Sequence, residues 1–130
     1  MSGETNLNQL LRTMSPELKA GDYVFCTVND VSAIDRNHII GSFKEAEGWT
    51  IILEKEQADK KRLSYSYIAA WITLTVHSSL ETVGLTAAFA TALGNAGISC
   101  NVVAAFYHDH IFVAKKDAER AMEVLRQLSQ

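Results

Sequence analysis

Residues 75–113 read TVHSSLETVGLTAAFATALGNAGISCNVVAAFYHDHIFV, and their local signals decide the fold. The stretch continues an alternating, β-branched run, "AWITLTVH" (70–77), which predicts a strand. From Leu85, apolar side chains recur at Ala88, Phe89, Ala92, Leu93 and Ala96, a spacing that sets them on one face of a helix. Gly97 follows where a left-handed residue would end that helix. "ISCNVVAAFY" (98–107) reads as a mostly buried strand, and "HIFVA" (110–114) as its hairpin partner. Further on, Asp117 is placed to cap a last helix whose inward face is Ala118, Ala121, Met122, Leu125 and Leu128. The order is strand, helix, strand, strand, helix.

The first half carries a fainter version of the same pattern. A helix near 5–14 precedes strands "DYVFCTVN" (22–29), "HIIGSF" (38–43) and "WTIIL" (49–53), and a short charged helix covers about 55–63. "FCTVND" (25–30) aligns with "TLTVHS" (73–78), and "IILEKEQADKKRL" (51–63) with "IFVAKKDAERAME" (111–123). In the second alignment Lys55 meets Lys115 and Ala58 meets Ala118. The offset between the halves grows by a dozen residues from the first match to the second. Those residues correspond to the first helix of the second half, because the gap between Asn29 and His38 cannot hold it. The N-terminal helix has about the size to fill the vacancy. We therefore expect one duplicated βαββα unit whose first copy is rearranged, with a repeat at 1–69 and another at 70–130.

Composition narrows the function classes. A chain of 130 residues is one domain, or two very small ones that share a core. With 48% apolar and 21% charged residues it has an ordinary globular profile. A net charge of −3 offers no electrostatic case for nucleic acid, and the basic clusters Lys60-Lys61-Arg62 and Lys115-Lys116 stand beside acidic neighbours. The opening "MSGETNLNQLLRTM" lacks the apolar core of a signal peptide, and no stretch approaches membrane-spanning length. Cys26 and Cys100 lie far apart in apolar runs and read as two buried thiols of a reducing cytosol. The expected location is cytoplasmic.

His108-Asp109-His110 has the residue types of a zinc site. On an extended chain, however, only His108 and His110 share a face, and two ligands fall short of the three or four that zinc needs. The triplet reads as a polar hairpin tip, and neither a metal nor another cofactor is expected. His77 with Ser78 or Ser79 could suggest a hydrolase, but sequence neighbours rarely reach nucleophile-to-base geometry and no separate carboxylate is placed to orient His77. The expectation is that the chain is not an enzyme.

Residues 75–113 resemble an ACT domain, the small regulatory module that binds amino acids, in the form found in aspartokinase regulatory regions. The marks are Gly84 opening a helix and the Ala96-Gly97-Ile98 step into the second strand. The resemblance covers 70–128 well and 20–63 faintly, and is greatest to small bacterial stand-alone proteins with two ACT repeats. It implies an α+β, ferredoxin-like fold: tandem βαββα repeats with antiparallel sheets and helices on one face. An ACT unit is βαββαβ, and the second half stops before the last strand. The halves are therefore expected to intertwine, with "SYSYIA" (64–69) or an N-terminal strand completing a sheet.

The resemblance also implies a site. The loop from Ser78 to Leu85 would face the ligand, and the start of the second strand of a neighbouring ACT unit, Ser99 and Asn101 here, would form the other wall. Antiparallel pairing of two such strands would bring His108 and Asp109 near. Physical chemistry adds a reason for the loop itself. With Thr82 as cap, Val83, Gly84 and Leu85 would present free N–H groups at the positive end of a helix, where a carboxylate is favoured. Gly84 would then lie in the first helical turn, where alanine is the better helix former. Ser79 belongs to the same loop, and Glu81 would meet an ammonium group. Ser78-x-x-Glu81 is equally a capping box, in which Glu81 only satisfies backbone. The expected function is a regulatory, allosteric module that senses a free amino acid and acts on a partner protein or within its own homodimer. An assembly module without a ligand is the alternative.

Overall fold

The computed structural model describes residues 3–75 and 84–129. In chain order the elements are α1 (Gly3–Thr13), β1 (Ser15–Leu18), β2 (Tyr23–Val28), β3 (Ile39–Glu45), β4 (Gly48–Glu54) and α2 (Lys55–Lys60). They continue with β5 (Ala69–Thr75), α3 (Leu85–Asn95), β6 (Cys100–Ala104), β7 (Asp109–Ala114) and α4 (Ala118–Leu128). The chain divides into two compact units: a terminal unit of residues 1–20 with 70–130, and a central unit of residues 21–69.

In the terminal unit β5, β7 and β6 are hydrogen-bonded neighbours in that order. β1 pairs antiparallel with β5, Leu18 opposite Ile72 and Ser15 opposite Thr75. The resulting order, β1-β5-β7-β6, is that of a ferredoxin-like sheet, and an N-terminal strand stands where the last strand of a βαββαβ unit belongs. The expected intertwining is present, and β1 carries it here.

Period-two alternation sorts this sheet into two faces. Ala70, Ile72 and Leu74 of β5, with Ile111 and Val113 of β7, share one face and are buried. Against them lie Leu85, Phe89 and Leu93 of α3, and Ala118, Ala121, Met122 and Leu125 of α4. These are the helical stripes that the sequence predicts. Gly97, at φ +77°, ends α3. The Ile98 N–H reaches the Leu93 carbonyl at 2.9 Å and the Gly97 N–H reaches that of Gly94 at 3.0 Å, the paired bonds of a Schellman stop. Asp117 does occupy the N-cap position of α4, but its side chain makes no capping bond. Its carboxylate accepts instead from Arg120 Nη2 at 3.3 Å.

The N-terminal helix departs from expectation. Leu7, Leu10 and Leu11 of α1 pack against the core of the terminal unit, so α1 belongs there and not in the vacancy of the first repeat. An amphipathic helix goes where its leucines find apolar surface, and the core around α3 supplies it.

The central unit has the order β3-β4-β2. β2 pairs with β4, Cys26 opposite Ile51 and Val28 opposite Trp49. Tyr23 also pairs with Ala69, where the chain returns along β2. Val24, Cys26, Ile51 and Leu53 bury one face under Ala58 of α2 and Ile34 of the 29–38 connection. That connection forms two 3-10 turns, Val31–Ala33 and Arg36–His38, in place of a helix. Ala58 and Ala118, aligned by sequence, are both buried, Ala58 within α2 and Ala118 at the start of α4, with exposures of 0% and 6%. The alanine lets each helix approach the strand that precedes it.

Candidate ligand-binding site

The loop singled out by sequence falls largely outside the described residues: Ser79, Glu81, Thr82 and Val83 lie there, as do His77 and Ser78. Its last two residues are described. Gly84 is the N-cap residue of α3, in a left-handed conformation with φ +92° and ψ −9°. This overturns two expectations. The cap is Gly84 and not Thr82, so the first-turn amides are those of Leu85, Thr86 and Ala87. Gly84 itself lies outside the helical turn, at a φ that an L side chain rarely adopts. Having no side chain, Gly84 offers no oxygen to engage those amides. The Leu85 side chain is buried in the core, so only its backbone can meet a ligand.

Ser99 is exposed immediately before β6, and Asn101 is exposed on β6 opposite Phe112. α3 has 11 residues, about 16 Å of helix, and Gly84 and Ser99 stand at its two ends. His108 and Asp109 lie past the far end of β6, about 17 Å of strand from Ser99. Within one terminal unit Ser99 therefore stands far from both Gly84 and the hairpin turn. A site using both Gly84 and Ser99 needs a second unit.

The hairpin turn comes earlier than the sequence put it: residues 105–108 form it, and of the His108-Asp109-His110 triplet only His108 lies in it, Asp109 and His110 belonging to β7. Ala105 N–H donates to the His108 carbonyl at 3.0 Å, closing the turn, and Asp109 begins β7 opposite Ala104. Burial holds the Asp109 carboxyl above its ordinary range, a rise opposed by His110 and His108. Phe106 and Tyr107 project from the tip at 83% and 79% exposure, their rings edge-to-face at 5.0 Å. Among the described residues no cluster of three or more metal-ligating side chains occurs.

His110 does something the sequence reading missed. It lies on the sheet face opposite the helices, where Trp71 Nε1–H donates to its Nδ1 at 3.0 Å. Thr73 Oγ1 stands 3.1 Å from the same nitrogen. An indole N–H is only a donor, so Nδ1 accepts and the ring is the neutral tautomer with its proton on Nε2. Burial lowers the His110 pKa first, the charges of His108 and Lys19 lower it further, and Asp109 opposes them. Phe112 stacks on Trp71 at 6.0 Å, and Lys19 Nζ lies 5.6 Å over the indole. The signal was in the alternation: Trp71 and Thr73 share one face of β5, and His110 and Phe112 share one face of β7. Burial raises the pKa of both thiols, Cys26 also feeling Asp59, which favours the protonated form of each.

This architecture has relatives. Two family models described as ACT domain match the chain, at residues 2–70 and 66–127.

The chain belongs to the ACT domain family.

No curated protein sequence matches it. A Vibrio cholerae protein of unknown function, described as a possible transport protein, is 52% identical with a TM-score of 0.90, over 99% of this chain and 100% of that one. The ligand-free regulatory subunit of aspartate kinase from Thermus thermophilus is 9% identical with a TM-score of 0.67, over 88% of this chain and 96% of that one. The allosteric aspartate kinase of Clostridium acetobutylicum is 11% identical with a TM-score of 0.62, over 90% of this chain and 34% of that one. The two kinases share the fold. ACT domains generally bind amino acids for regulation, commonly oligomerise and are typically non-catalytic. No described helix is long and apolar enough to cross a membrane.

Proposed function

We propose that this protein is a non-enzymatic regulator that binds a free α-amino acid. It would act on a partner protein or through its own homodimer in the cytoplasm, with tandem repeats at 1–69 and 70–130. The observation that carries the reading is Gly84 at the N-cap of α3. A glycine without a side chain, at φ +92°, stands beside first-turn amides that favour a carboxylate. Ser79, Glu81, Thr82 and Val83 would complete this wall. Ser99 and Asn101 of a second unit, with His108 and Asp109, would form the other, in keeping with the distance of Ser99 from Gly84 inside one unit. A thermal-shift screen over the twenty free amino acids tests it. A ligand at 100 times its Kd stabilises the fold by about 2.7 kcal/mol, roughly a ten-degree rise in Tm for a chain of this size. Flat curves at millimolar concentration would leave the second reading, assembly without a ligand. That reading is favoured by β6, which ends the order of its sheet beside the exposed Phe106–Tyr107 pair.

A further inference from the structure

The 29–38 connection leaves open a part of the central unit that a helix would cover. Ile39 and Ser42 of β3 stand opposite Leu53 and Ile51, and Trp49 lies two residues from Ile51, so all face the core side. Val31 and Ile34 reach over them from the connection, and between lies a cavity of about 730 Å³. That is the size range of small-molecule sites, which combine apolar walls with a few polar groups. The walls are held in place. The Asp30 carboxylate accepts from the Ser32 N–H at 3.0 Å and from its hydroxyl at 2.7 Å. The Asp35 carboxylate accepts from the Asn37 N–H at 3.0 Å. Arg36 also lines the cavity and enters no ion pair among the described residues.

We propose that this cavity binds a small organic monocarboxylate with a branched or aromatic apolar body, independently of the loop at Gly84. The Arg36 guanidinium presents a planar fork of donors that matches a carboxylate. Trp49, Val31 and Ile34 take the apolar body. Charge selects a single negative group: Arg36 is the one cation among the lining residues, and Asp35 on the same wall repels a second anionic charge.

The test uses the full chain, 15N-labelled, with sodium 4-methylpentanoate as the probe. The sequence holds two tryptophans, so two indole N–H signals appear, and a Trp49→Phe variant assigns them. The Trp49 signal is expected to shift saturably while that of Trp71 stays. Arg36→Gln, at an exposed side chain, should weaken binding by about tenfold or more and leave the unfolding midpoint in place. The uncharged 4-methylpentanamide should bind as weakly as that variant binds the acid. A stationary Trp49 signal overturns the proposal, as does equal affinity in Arg36→Gln or for the amide. A thermal shift reports on the whole fold whereas the Trp49 signal reports on this cavity, so the outcome of the amino-acid screen does not decide this proposal.

Discussion

The terminal and central units start from one repeated pattern and solve the same problem differently. Each has a sheet with one apolar face to hide. The terminal unit places the eleven residues of α3 between β5 and β6, and Phe89 of that helix is completely buried against the sheet. The central unit has ten residues, 29–38, for the same connection, and two 3-10 turns with Ile34 at 7% exposure stand in for a helix. A helix closes over a sheet with a continuous stripe, whereas short turns cover it pointwise and leave a cavity. Small-molecule space within a fold of this kind can arise by shortening a connection.

The sharpest way to break this comparison is at the covering side chains. Phe89→Ala should destabilise the protein by about 3–5 kcal/mol in urea unfolding, because packed helix surrounds the void. Ile34→Ala should cost about 2 kcal/mol or less, since that side chain already borders open space and loses fewer contacts. Equal losses would mean that the connection packs as well as a helix.

A second contrast lies within α3. Gly84→Ala places a methyl at φ +92°, with Leu7 Cδ2 at an ordinary 3.4 Å, so backbone strain decides the sign and about 1–2 kcal/mol should be lost. Any ligand-dependent stabilisation should fall as well, since the methyl crowds the amides. Gly94→Ala, in the last turn of α3 with nothing within 4 Å of the added carbon, should gain about 0.5 kcal/mol. Thermal melts of the two variants with and without the best amino acid from the screen measure both effects. A more stable Gly84→Ala would return that residue to the helical turn.

A smaller effect comes from His110. His110 has a depressed folded-state pKa, so the unfolded chain binds its proton more readily. Stability should therefore fall as pH drops below the unfolded value near 6.5, through the range down to the lowered folded pKa. Protonation also removes the lone pair that accepts from Trp71. Asp109, raised by burial, binds its proton more readily when folded, so its contribution has the opposite sign in a more acidic window. Urea midpoints between pH 7.5 and 5 should slope for the wild type and flatten in His110→Gln. An unchanged slope would assign it elsewhere. The smallest expected effect is that of a chelator: Tm and oligomeric state should not move, and stoichiometric zinc lost in His108→Ala would contradict this.

Element types were legible because they depend on local order. The stripe at Leu85, Phe89 and Leu93, the Gly97 stop and the alternation in β5 are written within a few residues of each other, and short-range sterics and burial read them directly. The repeat was legible for the same reason, down to Ala58 and Ala118. The sequence also held the types of residue in the candidate site, but not their conformation. Whether α3 begins at Thr82 or Gly84 depends on a backbone torsion that several caps could satisfy. The partners of distant segments were decided by the tertiary structure. α1 had the size for the central vacancy, yet its leucines bury against α3 and α4, because apolar surface is non-directional and the terminal core offers more of it. The choice of β1 to complete the sheet, and the Trp71–His110 bond across 39 residues of chain, follow from sheet register, which no local window encodes.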